Sequence, residues 1–580
     1  MLAENEKKHG DRGAADASQF VIAITDSDLE AVHRDTSEAA GWKPSFHELL
    51  IMVALSLISL MVALDACIIV TSLSAIVTDL GGDTTQGFWI GTSYLLSNAV
   101  TMPFIAAISG IFGRPICLIA ALSFFTVGTL LCCLAHGIVL MLVGRSLQGV
   151  GGGGIIVLSL VVFTDIVPLR YRPKWYGTVL GAWALGNCLG PILGGLIVEH
   201  TTWRWVFYIM FPFCAFGLIS IPLLLTLKPR TETMRVKLAR VDWTGSMIFL
   251  SSATLFLIAI SWGGIQYAWK DKETLIPLCL GVAGLGLTYI WESRIATEPF
   301  LRKSLCLRPS SIATYFCGMV QGLVIYGQLY YGPFYFLSVK GYSPVHTGLA
   351  LFPVMFTLVP GSVIVGNLVT RTNNYQYPIW IGWLMAALGS GLMIKFDLDT
   401  SIAQWAIPLV VLGLGHGAIL NAQNFATQAM CKPGEEGAAA AMYGFMRQFG
   451  MALGVGVGGS AFQNVMALKL SWEGLPEDIA KNSEAYVDRL WALPDEQMRT
   501  RILNAYVFGF KGVYSVYFGI ATVALLVSLV GIKHYDMNKE VATDHKLHRN
   551  RFTKRLEASS RRTSVVNLIQ RAEDADRPSP

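Results

Sequence analysis

Gly186-Asn187-Cys188-Leu189-Gly190-Pro191-Ile192-Leu193-Gly194-Gly195 lies in the middle of an apolar stretch, residues 175–198. Glycines at 186, 190 and 194 recur every four residues, so in a helix they share one face and let a neighbouring backbone come close. Pro191 in the same run removes an N–H and predicts a bend. In water that combination weakens a helix with little in return. In hydrocarbon, apolar side chains gain nothing by leaving the lipid, and a small-residue face is what draws helices together. The decapeptide therefore reads as part of a membrane helix with a close, bent seam.

Composition extends that reading to most of the chain. Of 580 residues, 53% are hydrophobic and only 14% charged, against about 25% charged in soluble domains. A spanning helix needs roughly 20 apolar residues. Candidates fall at 49–78, 89–109, 116–135, 138–163, 175–198, 203–227, 243–262, 274–291, 311–337, 344–370, 378–395, 403–430, 437–465 and 510–533. The fold class expected is an all-α integral membrane protein with 14 transmembrane helices. A net charge of +5 without basic–aromatic interleaving gives nucleic-acid binding no support. The ten cysteines lie in or beside apolar segments without metal-ligand spacing, so neither a metal nor a disulfide framework is expected. No phosphate loop, H-E-x-x-H or G-x-S-x-G is present, which argues against an enzyme or an ATP-driven pump; no cofactor is expected.

Lys and Arg set the orientation. Arg114, Arg170, Arg172, Lys174, Arg235, Lys237, Arg240, Arg302, Arg371 and Lys432 fall in loops of one side, joined by Lys228 and Arg230. The loops at 79–88 and 199–202 carry Asp79, Asp83 and Glu199 with no Lys or Arg. An even number of spans then puts both termini in the cytosol. Residues 1–48 are expected to be a disordered tail without a signal peptide, and 534–580 a basic disordered tail. The loop 466–509 is the one large external segment, expected as one or two short helices over the outer mouth or as a solvated linker.

Ionisable residues inside a membrane cost about 2.5–3.5 kcal/mol at the helix centre and are usually functional. Asp65 is about fifteen residues into the first span and Arg145 about eight into the fourth, which runs the other way. At about 1.5 Å per residue the two sit at matching depth, and they are expected to pair and to serve a proton-coupling role. A purely structural charge pair is the plain alternative. Gln148, Gly149 and the run Gly151–Gly154 follow Arg145, and such a run needs close packing to offset its cost of about 1 kcal/mol per glycine. His416, Asn424 and Gln428 share a face of the twelfth span, with Arg447 and Gln448 opposite on the thirteenth. Together with Tyr326 they are expected to line a water-filled substrate cavity, although His416 also reads as a core histidine.

At these residues the sequence resembles the major facilitator superfamily, specifically its fourteen-span drug:proton antiporters and their fungal toxin-export relatives. The resemblance runs from about residue 50 to about 533. It is carried by Leu64-Asp65, with Ser74 where proline is usual, and by Arg145-x-x-Gln148-Gly149. It continues through Gly186-x-x-x-Gly190-Pro191-x-x-Gly194-Gly195 and Trp203-Arg204-Trp205, with Met210 where asparagine is usual. Gln428, Arg447-Gln448-x-Gly450 and Phe462-Gln463-Asn464 match the later spans. One loop departs from the family: Ser109-Gly110-Ile111-Phe112-Gly113-Arg114-Pro115 keeps only Gly113-Arg114 of the G-x-x-x-D-R-x-G-R-[RK] latch. Arg114 is expected to pair with Asp165, in a weakened latch.

The resemblance implies two six-helix bundles, 49–227 and 311–533, with two extra spans in the linker 228–310. It implies proton-coupled efflux of a small organic compound by a monomer in the plasma membrane, or else in a vacuolar or vesicle membrane. Asp65 and Arg145 would couple protons, while Gly186, Gly190, Pro191, Gly194, Gly195, Gln148, Gly149, Arg114 and Asp165 would serve packing and gating. Import of a siderophore or nutrient, and a sensor without transport, are the competing readings.

Overall fold

A computed structural model describes residues 42, 44–82, 84–225, 233–263, 266–296 and 298–537. The expected tails lie outside these residues except for 42, 44–48 and 534–537, as do Asp83, Lys228 and Arg230. Contacts group the chain into Met1–Phe46 and His47–Pro580. Among the described residues, fourteen principal helices follow from Phe46 onward, all but that first residue within the second unit. They are α1 (Phe46–Asp79), α2 (Thr84–Phe112), α3 (Arg114–Cys133), α4 (Ile138–Ile166), α5 (Arg172–His200), α6 (Phe211–Leu224) and α7 (Trp243–Trp262), followed by α8 (Lys272–Arg294), α9 (Pro309–Ser338), α10 (Phe352–Thr372), α11 (Gln376–Met393), α12 (Ile402–Met430), α13 (Glu436–Trp472) and α14 (Glu496–Gly531).

Among the described residues, thirteen helices are long and apolar enough to cross a membrane. The fourteenth, α11, has 18 residues and opens on Gln376-Tyr377-Pro378, which dilutes its hydropathy. Breaks between helices follow local chemistry. Gly113, at φ 103°, turns the chain between α2 and α3 where an L side chain is strained. Asp242 caps α7 by accepting from Gly245 N, and Ser401 with Gln404 forms a capping box on α12.

The segment expected to be external differs in extent. Helix α13 runs on to Trp472 and α14 begins at Glu496, so the loop expected at 466–509 shrinks to 473–495, with short helices Asp478–Lys481 and Ser483–Trp491. The extensions are polar and invisible to hydropathy. Lys469 pairs with Glu473 at 2.9 Å along the end of α13, and Asp495 caps α14 through Gln497 N and Met498 N.

Glycine lets these helices approach closely. A Cβ at Gly186, Gly190 or Gly194 of α5 would strike the α1 backbone at Leu60, Ile68 and Ile68 again. Cβ atoms at Gly450 and Gly454 of α13 would likewise strike α9 carbonyls, those of Met319 and Leu323. The glycine run of α4 alternates its neighbours: Gly149 and Gly153 meet α2 at Tyr94 and Asn98, whereas Gly151 and Gly154 meet α3 at Phe125 and Ala121. In α12, Gly413 and Gly417 meet α10 and Gly415 meets α11. One packing device thus appears twice, once in α1–α6 and once in α9–α14.

Helix α7 touches both groups. Trp262 packs edge-on to Trp89 of α2 at 5.9 Å, while Phe256 stacks on Phe449 of α13 at 5.6 Å. At the far end of α1, Asp79 accepts from the Trp203 indole at 2.8 Å and from Arg204 at 3.2 Å. Those bonds, the indole first, hold its carboxyl below the usual carboxylate range.

Gly190→Val and Gly454→Val are expected to destabilise by about 1–3 kcal/mol or more through overpacking. Gly519→Val, with no atom within 4 Å of its would-be Cβ, should be neutral; thermal unfolding in detergent compares them. The Asp79 contribution is present above the ordinary carboxylate value of about 3.9. It is lost as pH falls through the lowered folded value, and Asp79→Asn should remove that part of the acid sensitivity in the same assay.

Candidate functional site

Asp65 and Arg145 are 0% and 1% exposed, and Arg145 Nη1 donates to Asp65 Oδ2 at 2.8 Å. In apolar surroundings such a pair persists only if its other donors and acceptors find partners; here most of them do. Arg145 Nη1 also donates to Gln148 Oε1 at 2.8 Å and its Nε to the Ile90 carbonyl at 3.2 Å. Gln148 Nε2 in turn reaches Asp65 Oδ1 at 3.2 Å and Thr129 Oγ1 at 2.9 Å. The guanidinium lies 4.3 Å from the Tyr94 ring centroid. Gln148 is thus a full member of the charge network, while Gly149 gives α2 its close approach.

A polar thread leaves this box toward α13. Asn98, one turn along α2 from Tyr94, accepts from Gln448 Nε2 at 3.1 Å. Beside Gln448, Arg447 Nε donates to Gln321 Oε1 of α9 at 3.1 Å, and its guanidinium lies 4.8 Å from the Trp183 ring of α5. His416, Tyr176 and Tyr443 lie within electrostatic reach of Arg447. His416 is 0% exposed and neither ring nitrogen has a partner, so it is not a core histidine bonded to a carbonyl. Tyr326 lies within electrostatic reach of Cys67 and Arg145, on the side of the Asp65 box.

Asn424 and Gln428 sit elsewhere, which corrects the expectation that they share a cavity with His416. Arg172 Nη1 donates to Gln428 Oε1 at 2.7 Å, and Gln428 Nε2 donates to Asn424 Oδ1 at 3.3 Å. Arg172 also donates to the carbonyls of Val167 and Thr164. Its guanidinium collects these oxygens into a closed junction where α4 leads into α5. Around it, Asn421 Nδ2 donates to the Pro173 carbonyl at 3.0 Å and Arg170 Nε to that of Thr370 at 3.3 Å. Arg114 Nε donates to Asp165 Oδ2 at 3.1 Å nearby, and a Cβ on Gly437 of α13 would lie 3.5 Å from Arg114 Nη2.

In the seam, Thr71 Oγ1 donates to the Pro191 carbonyl at 2.9 Å, and α5 is continuous through Pro191. Gly195 does not belong to it: its would-be Cβ meets only Val345, at 3.8 Å. The residues that sequence reasoning missed are Arg172, Tyr94, Asn98, Gln321, Tyr176 and Trp183. Tyr176 and Trp183 are seven apart on α5 and share a face, a spacing that ordinary packing also produces.

Residues 55–455 match the family model described as Major Facilitator Superfamily. This chain belongs to the Major Facilitator Superfamily. It is 37% identical over 535 residues to MFS transporter L2 of Phoma sp., covering 92% of this chain and 88% of that one. It is 30% identical to the MFS-type efflux pump LUC4 of Fusarium sp., covering 92% and 96%. With the MFS efflux transporter aclA of Aspergillus oryzae it shares 34% identity, covering 70% and 74%. The crystal structure of the human organic anion transporter MFSD10 (TETRAN) aligns with a TM-score of 0.53 at 12% identity, covering 84% of this chain and all of that one. This last likeness speaks for the fold alone.

Removing one member of a buried pair strands the other charge at about 3–5 kcal/mol. Asp65→Asn and Arg145→Gln should therefore each destabilise strongly, and the double variant should recover much of the loss. Thermal unfolding of the purified proteins gives the coupling energy; additive losses would contradict a shared network.

Proposed function

We propose that this protein exports small organic compounds in exchange for protons, by alternating access between bundles 49–227 and 311–533. Residues 228–310 add two further spans, of which α7 bridges α2 and α13. The observation that carries the reading is a set of buried polar contacts: Arg145 on Asp65 and Tyr94 in one bundle, then Asn98 of that bundle bonded to Gln448 of the other, next in sequence to Arg447. It links an ionisable pair in one bundle to an aromatic-walled arginine in the other. The names of the relatives, efflux pumps among them, support the outward direction.

A proton on Asp65 cancels the charge that Arg145 faces. Arg145 keeps Gln148 Oε1 and the Ile90 carbonyl as acceptors, so its guanidinium is held while the pair relaxes. Tyr94 lies on the face of that guanidinium, and any shift passes along α2 to Asn98 and so to Gln448. The Arg172–Gln428 and Asn421–Pro173 bonds close the end of the protein where the basic loops lie. We place that end in the cytosol and the protein, as a monomer, in the plasma membrane. Opening toward the cytosol requires those bonds, with the Arg114–Asp165 contact to α13, to give way.

Flux in proteoliposomes tests the reading, with a panel of lipophilic aromatic acids, amides and amines as probes. With the lumen acid, inside-out vesicles should take up at least one probe about tenfold faster than protein-free vesicles. Asp65→Asn should keep exchange without a gradient and lose gradient-driven uptake. Equal gradient-driven uptake by wild type and Asp65→Asn would contradict coupling through Asp65.

A further inference from the structure

We propose that Arg447 is the counter-charge for the transported compound, and that this compound is an organic anion. Its chemistry would be a carboxylate, enolate or phenolate on an aromatic or conjugated body, with a hydroxyl or carbonyl next to the charge. The inference rests on the export reading and names the substrate class of its site.

The two buried arginines among the described residues are provided for, whereas Arg447 is half-buried. Arg145 has Asp65, Gln148 and the Ile90 carbonyl, and Arg172 has two carbonyls and Gln428. Arg447 has one hydrogen bond, from Nε to Gln321, and one ring, Trp183. Among the described residues no Asp or Glu forms a salt bridge with it. A guanidinium carries five N–H donors in a planar fork shaped for an oxyanion, and the Nη donors are left over. A charge in the middle of a membrane helix without a counterion is costly unless water or a ligand meets it.

A second observation points to the same ligand. His416 is fully buried with both ring nitrogens unpartnered, within electrostatic reach of Arg447. A neutral imidazole offers one donor and one acceptor. A hydroxyl or carbonyl adjacent to the anionic group satisfies one of them while the oxyanion takes the Arg447 fork. Trp183 supplies aromatic surface beside the charge, where a flat conjugated body stacks. Gln321, which already accepts from Arg447, holds the fork in place.

The probe is radiolabelled 3-hydroxy-2-naphthoate, compared with its carboxamide and its aminomethyl analogue. Binding is measured on the full chain in nanodiscs of phosphatidylcholine. The acid should bind at least tenfold more tightly than the amide or the amine. Arg447→Gln should lose that preference and Arg447→Lys keep part of it. Because no carboxylate is stranded by Arg447→Gln, that variant should unfold at the wild-type temperature. Equal binding of the three probes, preference for the amine, or binding of none overturns the proposal. So does equally effective competition by chloride, by acetate or by phosphatidylglycerol in the disc, which would make the site a sink for any anion. Gradient-driven flux of an amide or amine alongside such a result would leave the export reading standing without the anion class.

Discussion

A carboxylate and a guanidinium 2.8 Å apart in the interior of a membrane protein constrain everything around them. Either charge alone at that depth is costly. The pair is tolerable because Gln148 bonds to both partners, Thr129 takes the remaining amide donor, and the Ile90 carbonyl and Tyr94 face cover the rest of the guanidinium. Four helices contribute to that box, so α1, α2, α3 and α4 are fixed in register by one polar network. Protonation of Asp65 would alter this balance without any bulky ligand entering.

The glycines make the box possible and confine it. Side chains such as Gln148 and Arg145 reach across three helices only because the backbones lie within glycine distance of one another. Gly149 and Gly153 set α4 on α2, while Gly151 and Gly154 set it on α3. The same arrangement around α12 and the second seam, of α13 on α9, give the other half matching stiffness. A few polar contacts, Arg172–Gln428 and Asn98–Gln448 among them, join α1–α6 to α9–α14, the arrangement that the proposed rocking requires.

Much of this was legible. The spacing of Gly186, Gly190 and Gly194 announced a close seam, and constant helix rise placed Asp65 and Arg145 at one depth before any distance was known. The fourteen apolar runs gave the helices, except where polar residues extend α13 and α14. Gln428 and Asn424 were misread because their partner, Arg172, is 256 residues from Gln428 and lay among residues read as a basic loop. Gly195 shares its type with the seam glycines but is one residue off their face. Tyr176 and Trp183 carry no mark that separates a cavity wall from ordinary packing, since an aromatic on a membrane helix serves either end.

The central claim is that Asp65 changes protonation state during the transport cycle. Infrared difference spectroscopy on the purified protein, before and after acidification across the working range, reads this directly. The account predicts a protonated-carboxyl carbonyl band in the wild type that is missing from Asp65→Asn and altered in Arg145→Gln. The same band at the same intensity in wild type and Asp65→Asn would contradict it.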